Sequence, residues 1–141
     1  MSVENVELVR RLYAELASEG SSREFERRLT DAALSRFLDP QVEWLPVPDS
    51  LLAAESYRGF EGVRRFWGEF VSTWESYMVE PLRFDDAGDQ VAVVVRIAGR
   101  THELAVDDTR SALLTVRDGR VVRVESFADA KGAREAAGLP P

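Results

Sequence analysis

The sequence has no cysteine, and its 141 residues include a single histidine, His102, and a single lysine, Lys131. Without cysteine the chain forms no disulfide, no thiolate nucleophile and no sulfur-ligated zinc site. One histidine is too few for a histidine-rich metal site, and one lysine gives poor support to Schiff-base chemistry. The motifs of phosphate-binding loops, dinucleotide-binding glycines, zinc-protease helices and nucleophile elbows are missing as well. We therefore expect no metal and no cofactor.

Long apolar runs are also missing. No stretch approaches the roughly 18 apolar residues of a membrane helix, and the start of the chain lacks the basic and apolar regions of a signal peptide. The 18 basic and 25 acidic residues give a net charge of −7, which opposes binding to nucleic acid and to anionic membranes. We expect one cytoplasmic domain spanning residues 1–141, with neither nucleic acid nor membrane as a partner.

Helical periodicity marks two stretches in the first half of the chain. The first helix can be capped by Ser2 and ended by Gly20. Its apolar stripe comprises Val6, Val9, Leu12, Tyr13 and Leu16. A later stripe with the same spacing comprises Phe60, Val63, Trp67, Phe70 and Trp74. Both patterns predict amphipathic helices that bury one face.

The segment between these two helices is less regular. A capping box at Ser21 and Glu24 predicts another helix that ends at Asp39-Pro40. Its apolar positions are Phe25, Leu29, Ala33 and Phe37. Val42–Val47 is then predicted to be extended, and Pro46 and Pro48 exclude it from the centre of a sheet.

The second half of the chain has the period of strands. The β-rich runs are Leu82–Phe84, Val91–Ile97, Ala112–Arg117 and Val121–Phe127. Asp118-Gly119 joins the last two and is a strong hairpin signal, whereas Arg100–Asp108 fits either an irregular strand or a loop. A short helix from Asp129 to Ala137 follows. Helices followed by an antiparallel meander predict an α+β fold, in which helices pack on a curved, mainly antiparallel sheet and form a cone with an internal pocket.

Two charged residues stand in apolar strands. Arg96 ends the run Val91–Val95, where a guanidinium must reach an edge, pair with an acid or line a cavity. In the last strand, alternation puts Arg123, Glu125 and Phe127 on one face and Val122, Val124 and Ser126 on the other. If the first face looks into the cavity, Glu125 is a buried carboxylate suited to acid/base work. If that face looks outward, Glu125 is a solvated charge.

Aromatic side chains and the histidine are further candidates for the site, and each has an alternative explanation as an ordinary core or surface residue. Tyr13 lies on the apolar stripe of the first helix, so its ring is expected to be buried and its hydroxyl needs a partner. Trp44 and Trp67 fit the wall of a ligand site, although aromatic residues at helical spacing more often belong to the core. His102 stands in the polar sequence Arg-Thr-His-Glu, which is more typical of a surface histidine than of a site residue.

The segment from Tyr57 to Trp67, YRGFEGVRRFW, resembles a stretch of the SnoaL-like family, which has the nuclear transport factor 2-like fold. The tail from Asp118 to Leu139 resembles the closing hairpin and helix of that family. Its members include polyketide cyclases, steroid isomerases and epoxide hydrolases. The resemblance implies a typically dimeric cone of helices on a curved sheet with an apolar pocket.

The resemblance implies roles for individual residues, but no complete catalytic set. Tyr13 looks like the oxyanion-stabilising tyrosine of steroid isomerases, yet Trp44 stands about where their aspartate base belongs, unless Glu43 substitutes. Arg96 and Glu125 look like the arginine and the last acid of an epoxide hydrolase triad. The middle position of that triad is Ala98 here.

Together these patterns predict a pocket for a small, largely apolar organic molecule. The predicted catalytic residues are Glu125 as acid or base, Arg96 as its electrostatic partner, and Tyr13. The predicted substrate-binding residues are Trp44, Trp67, Phe70, Phe127 and His102. Two alternatives remain open, a non-catalytic binding module and a dimerisation domain whose pocket is filled by aromatic side chains. A homodimer is expected from the resemblance and from an apolar outer face at Val122 and Val124.

Overall fold

The computed structural model describes residues 2–16, 19–20, 29–47 and 56–140. The helices are α1 (Ser2–Leu16), α2 (Asp31–Leu34), α3 (Gly59–Ser72) and α4 (Gly132–Ala136). The strands are β1 (Glu19–Gly20), β2 (Leu38–Leu45), β3 (Tyr57–Arg58), β4 (Ser76–Ala87), β5 (Gln90–Arg100), β6 (Ala105–Arg117) and β7 (Arg120–Phe127). No helix within these ranges is both long enough and apolar enough to span a membrane.

The strands form one curved, open sheet in the order β1-β4-β5-β6-β7-β2-β3. Neighbouring strands are antiparallel except for β2 and β7, which are parallel. Helix α1 packs against β4 and β5, and α3 packs against β2 and β3, so both helices lie on the inner face. The predicted α+β cone with a mainly antiparallel sheet is confirmed.

The apolar stripes predicted for α1 and α3 lie against the sheet. In α1, Val9, Leu12, Tyr13 and Leu16 are at most 3% exposed. Helix α3 buries Val63, Trp67 and Val71 but ends at Ser72, short of the predicted end of its stripe at Trp74. The Trp74 ring lies over Gly99 of β5, so closely that a Cβ on Gly99 would overlap it. The glycine therefore makes room for the tryptophan.

The predicted helix before β2 is corrected in part. Its start at Ser21 and Glu24 lies outside the described residues. A short helix begins after Thr30, whose Oγ1 accepts a hydrogen bond from the Ala33 N–H at 3.1 Å. Asp39-Pro40 was expected to end a helix but lies inside β2. The β2–β7 register shifts between Leu38 and Glu43, so the proline falls where the ladder is already interrupted.

Tight turns connect the long strands. Asp118 and Gly119 have φ angles of 51° and 75°, the pair of positive values that a two-residue type I′ hairpin requires. The predicted β6–β7 hairpin is therefore confirmed. The uncertain segment Arg100–Asp108 divides into a turn, closed by a 2.8 Å hydrogen bond from the Thr101 N–H to the Leu104 carbonyl, and the start of β6 at Ala105.

A register shift in β7 changes which residues share a face. The shift lies between Thr115 and Val116 of the partner strand β6. As a result Val121 and Val124 are both fully buried in the main core, while Val122 is half-buried. Val122 and Val124 therefore do not form the common outer face expected from strict alternation. The homodimer stays a prediction of the family resemblance alone.

Helix α4 covers part of the outer face of the sheet. Ala133 packs there against Ala92 and Leu113. The buried Ser111 hydroxyl donates to the Asp129 carbonyl at 2.7 Å and accepts from the Ala133 N–H at 3.0 Å. These bonds attach the start of α4 to β6.

We expect Gly99→Ala to lower the free energy of unfolding by about 1–3 kcal/mol, because the added methyl group forces the Trp74 ring out of its place. Gly68→Ala is the matched control, since a Cβ at this position of α3 meets no atom within 4 Å. That change should raise the free energy of unfolding by about 0.5–1 kcal/mol. Urea denaturation measures both, and equal stability of the two variants would contradict the packing described here.

Candidate functional site

A cavity of about 90 Å³ lies between the two inner helices and the sheet. Its aromatic lining comprises Tyr13, Trp44, Phe66, Trp67, Phe70 and Phe127. Its aliphatic lining comprises Pro46, Val47, Val79, Val95, Ile97 and Ala112, and its polar lining Arg110, Ser111 and Ser126. The volume exceeds the roughly 15 Å³ that one water needs but is below the roughly 150 Å³ of a cavity that takes benzene.

The aromatic rings account for this small volume. Trp67 contacts Trp44, Phe66 and Phe70 edge-on, with ring centroids 5.8, 5.4 and 5.7 Å apart. Such edge-to-face pairs stabilise a fixed arrangement of rings beyond the area they bury. The predicted substrate-binding residues Trp44, Trp67, Phe70 and Phe127 all line the cavity, although Trp44 and Trp67 also belong to the core.

Tyr13 brings a polar group into this apolar space. The residue is 3% exposed, and its ring meets Phe84 edge-on at 6.1 Å. Its hydroxyl makes no hydrogen bond within the part of the chain that the structure describes. Burial raises the pKa of Tyr13 well above its usual 10.0, because the phenolate would be poorly solvated. Tyr13 is therefore a protonated donor that faces the cavity.

Arg110 is a lining residue that the sequence did not single out. It stands on β6 opposite Val95 and shares the inward face with Ala112 and Leu114. Its Nε donates to Asp108 Oδ2 at 3.1 Å, and its side chain is 37% exposed. Arg110 therefore lies where the cavity meets the surface. The signal that could have found it is its parity with Ala112 and Leu114 along β6.

Arg96 does not reach the cavity. Its neighbours Val95 and Ile97 line the cavity, so alternation turns Arg96 to the outer face. There its Nε and Nη2 donate to the Asp107 carboxylate at 2.9 and 2.6 Å, and Glu80 Oε1 lies 3.8 Å from Nη1. The hydrogen bonds from Arg96 hold the pKa of Asp107 below its usual range. The expected Arg96–Glu125 pair is thus not formed, because Asp107 is the partner of Arg96.

Glu125 and His102 also lie away from the cavity. Glu125 is paired with Leu113, whose side chain belongs to the outer cluster, while the next residue, Ser126, lines the cavity. Glu125 therefore looks outward, although Phe127, which was expected on the same face, also lines the cavity. His102 lies in the turn before β6, 89% exposed, with its Nε2 2.9 Å from Glu75 Oε1. Neither residue can contact a molecule inside the cavity in this arrangement.

The metal-ligating side chains of the described ranges are dispersed. Among residues 2–16, 19–20, 29–47 and 56–140, no three carboxylate or imidazole side chains are grouped closely enough to hold a metal ion. Among the lining residues, the titratable side chains are Tyr13 and Arg110. The titratable groups of the site are thus one neutral phenol and one guanidinium within largely apolar walls.

Comparison with known proteins agrees with this architecture. Residues 9–124 match the family model of the SnoaL-like domain. TerC, co-crystallised with polyporic acid, is 20% identical, with a TM-score of 0.70 over 96% of this chain and 98% of that chain. Bal32a, from a soil-derived mobile gene cassette, is 18% identical, with a TM-score of 0.71 over 89% of each chain.

A third solved structure is a protein from Jannaschia sp. CCS1 described as a SnoaL-like polyketide cyclase. It is 20% identical, with a TM-score of 0.68 over 99% of this chain and 95% of that chain. At these identities the three likenesses show a shared fold alone. No curated protein sequence matches the chain.

Tyr13→Phe tests the burial of the phenol through the pH dependence of stability. Below pH 10 the proton is bound in both the folded and the unfolded chain; above it the unfolded chain releases the proton while the folded chain keeps it. The stability linked to Tyr13 is thus complete below pH 10 and is lost as pH rises. Between pH 10 and 11 we expect the free energy of unfolding to fall by about 1 kcal/mol more in the wild type than in Tyr13→Phe, because the unfolded tyrosine is half ionised at pH 10 and almost fully ionised at pH 11.

Urea denaturation at closely spaced pH values measures this difference. The remaining tyrosines, Tyr57 and Tyr77, are common to both proteins, so their contribution cancels. Parallel pH profiles of the wild type and Tyr13→Phe would show that the hydroxyl ionises as easily in the folded chain as in the unfolded one.

Proposed function

Because the chain belongs to the SnoaL-like family, we propose that its cavity binds a small, largely apolar organic molecule with an oxygen that accepts a hydrogen bond. The observation that carries this proposal is Tyr13, a buried residue that lines the cavity and whose protonated hydroxyl has no partner among the described residues. A carbonyl or ether oxygen of a ligand would accept a hydrogen bond from this hydroxyl, which contributes about 0.5–1.5 kcal/mol.

The lining sets the size and shape of the ligand. Aromatic walls from α1, β2 and α3 favour a flat ring, which gains dispersion contacts and edge-to-face packing. A volume of about 90 Å³ admits at most part of a ring unless an aromatic side chain turns aside. A one-ring molecule that enters from the Arg110 end, with part of its surface left in solvent, fits these dimensions.

Binding is favoured over carboxylate-driven catalysis by the position of the acids. Glu125 and the acids that pair with Arg96 lie on the outer face, and Asp108 is engaged by Arg110 at the rim. The proposed role of Tyr13 is therefore that of a ligand-orienting donor. The solved TerC structure, co-crystallised with polyporic acid, supports a small organic ligand for this fold.

Ala112→Leu should abolish binding of acetophenone, a one-ring ketone. Ala112 is buried on β6 and lines the cavity, so a larger side chain takes up space that the ring needs. Chemical-shift titration of the ¹⁵N-labelled protein with acetophenone measures the affinity and, from the shifted residues, the place of binding.

Ala98→Leu provides the matched control. Ala98 is half-buried on the outer face of the neighbouring strand β5 and does not line the cavity, so this variant should bind acetophenone as the wild type does. Equal affinity of the wild type and Ala112→Leu, or the absence of shifts at lining residues in the wild type, would refute the proposed site.

Tyr13→Phe should weaken acetophenone binding by about 2- to 12-fold, the value of one neutral hydrogen bond. The ring of residue 13 stays in place, so the change isolates the hydroxyl. Toluene, which has a ring but no oxygen, should bind the two proteins equally. An unchanged acetophenone affinity in Tyr13→Phe would show that the hydroxyl does not contact the ligand.

A further inference from the structure

We propose that Arg110 makes the cavity selective for ligands whose outer end is an anionic oxygen group, such as a carboxylate. This inference rests on the proposed ligand site and names the class of molecule that the site prefers. It begins from the position of Arg110, the one cation among the lining residues in the part of the chain that the structure describes. The apolar body of the ligand would lie inside the cavity and its charged group at the rim.

The strand β6 explains why a cation stands at this rim. Asp108, Arg110 and Ala112 share the inward face, each two residues from the next, and pair across the sheet with Ile97, Val95 and Val93 of β5. Ala112 is buried and Arg110 is partly exposed. The polarity of this face therefore rises step by step from the inside of the cavity to its opening.

Asp108 holds the guanidinium of Arg110 in place but uses only one of its N–H donors. The single hydrogen bond between them joins Arg110 Nε to Asp108 Oδ2 at 3.1 Å. Within the described residues the Nη1 and Nη2 atoms have no partner. Because a guanidinium carries five N–H donors in a planar fork, the edge formed by the two Nη atoms stays available for a second, bidentate acceptor. Asp108 acts as a positioning residue for that edge.

Arg96, in the same sheet, is an arginine whose guanidinium is surrounded by carboxylates. Its Nε and Nη2 both bind the Asp107 carboxylate, and Nη1 lies near Glu80. All three guanidinium nitrogens of Arg96 thus lie near protein carboxylates, whereas Arg110 contacts a carboxylate through Nε alone. The two arginines stand on opposite faces of neighbouring strands, so they differ in partner rather than in exposure, which is 41% for Arg96 and 37% for Arg110.

The residues around Arg110 strengthen its hydrogen bonds to an anion. Val95 and Phe127 line the cavity beside Arg110, and apolar walls lower the local dielectric constant, which makes a charge-assisted hydrogen bond stronger than it is in water. The partial exposure of Arg110 means that a carboxylate there keeps some solvent contact and avoids full desolvation. A charged head with an apolar ring therefore fits this end better than a neutral one.

4-Acetylbenzoate and acetophenone test the inference, because they share the ring and the ketone and differ only in the carboxylate at the opposite end of the ring. We expect the wild type to bind 4-acetylbenzoate at neutral pH about 10-fold or more tightly than acetophenone, the value of a charge-assisted pair. In Arg110→Gln this preference should disappear, through a loss of 4-acetylbenzoate affinity that exceeds any change in acetophenone affinity. Chemical-shift titration measures all four affinities.

Arg96→Gln is the matched control, since it removes a cation of similar exposure from the outer face, and it should keep the preference. Arg110→Lys keeps the charge but loses the fork, and it should keep part of the preference, which provides a second variant if Arg110→Gln does not fold. Equal affinities for both ligands in the wild type, or a preference that survives in Arg110→Gln, would overturn the selectivity and leave the site intact. Failure of both ligands to bind would overturn the site and the selectivity together.

Discussion

The alternation of side chains along β5, β6 and β7 determines which chemistry reaches the cavity. Successive residues of a strand point to opposite faces of the sheet, so Val95 and Ile97 line the cavity and Arg96 lies on the outer face. In the same way Ser126 lines the cavity and Glu125 lies on the outer face. A slip of one residue in pairing would exchange these sets and put buried charges where aromatic side chains now pack. The polarity of the site is therefore a property of strand register.

Most of the architecture follows from local pattern, because burial of one face leaves a clear period in the sequence. The stripes of α1 and α3 and the Asp118-Gly119 turn are of this kind. The inward face of β7 could not be identified in this way. Both faces of this strand are covered, one by the main core and one by α4. Because both faces carry apolar residues, the local alternation does not show which face is inside. Glu125 was placed by long-range packing that the local sequence does not encode.

The residues that line the site were predictable to different degrees. Trp44 and Trp67 are large and apolar and are buried, and Phe70 is large and apolar and is half-buried, so their place inside the fold follows from residue type. Arg110 could not be assigned a face because the start of β6 was undetermined. That start depends on the turn closed between Thr101 and Leu104, which leaves little trace in hydrophobic pattern. A polar residue in a site is harder to predict than an apolar one, because only the strand pairing determines which face of the sheet it lies on.

The parallel pairing of β2 with β7 has a consequence for the order of folding. This seam brings together residues as far apart as Ser35 and Arg120, which are separated by 85 positions, and closing so long a loop is entropically expensive. The β6–β7 hairpin, by contrast, closes over two residues. During synthesis the β2 segment leaves the ribosome long before β7 exists, so we expect the edge of β2 that faces β7 to stay unpaired while β3 pairs with its other edge. The wall of the cavity would then be completed only after β7 has been translated.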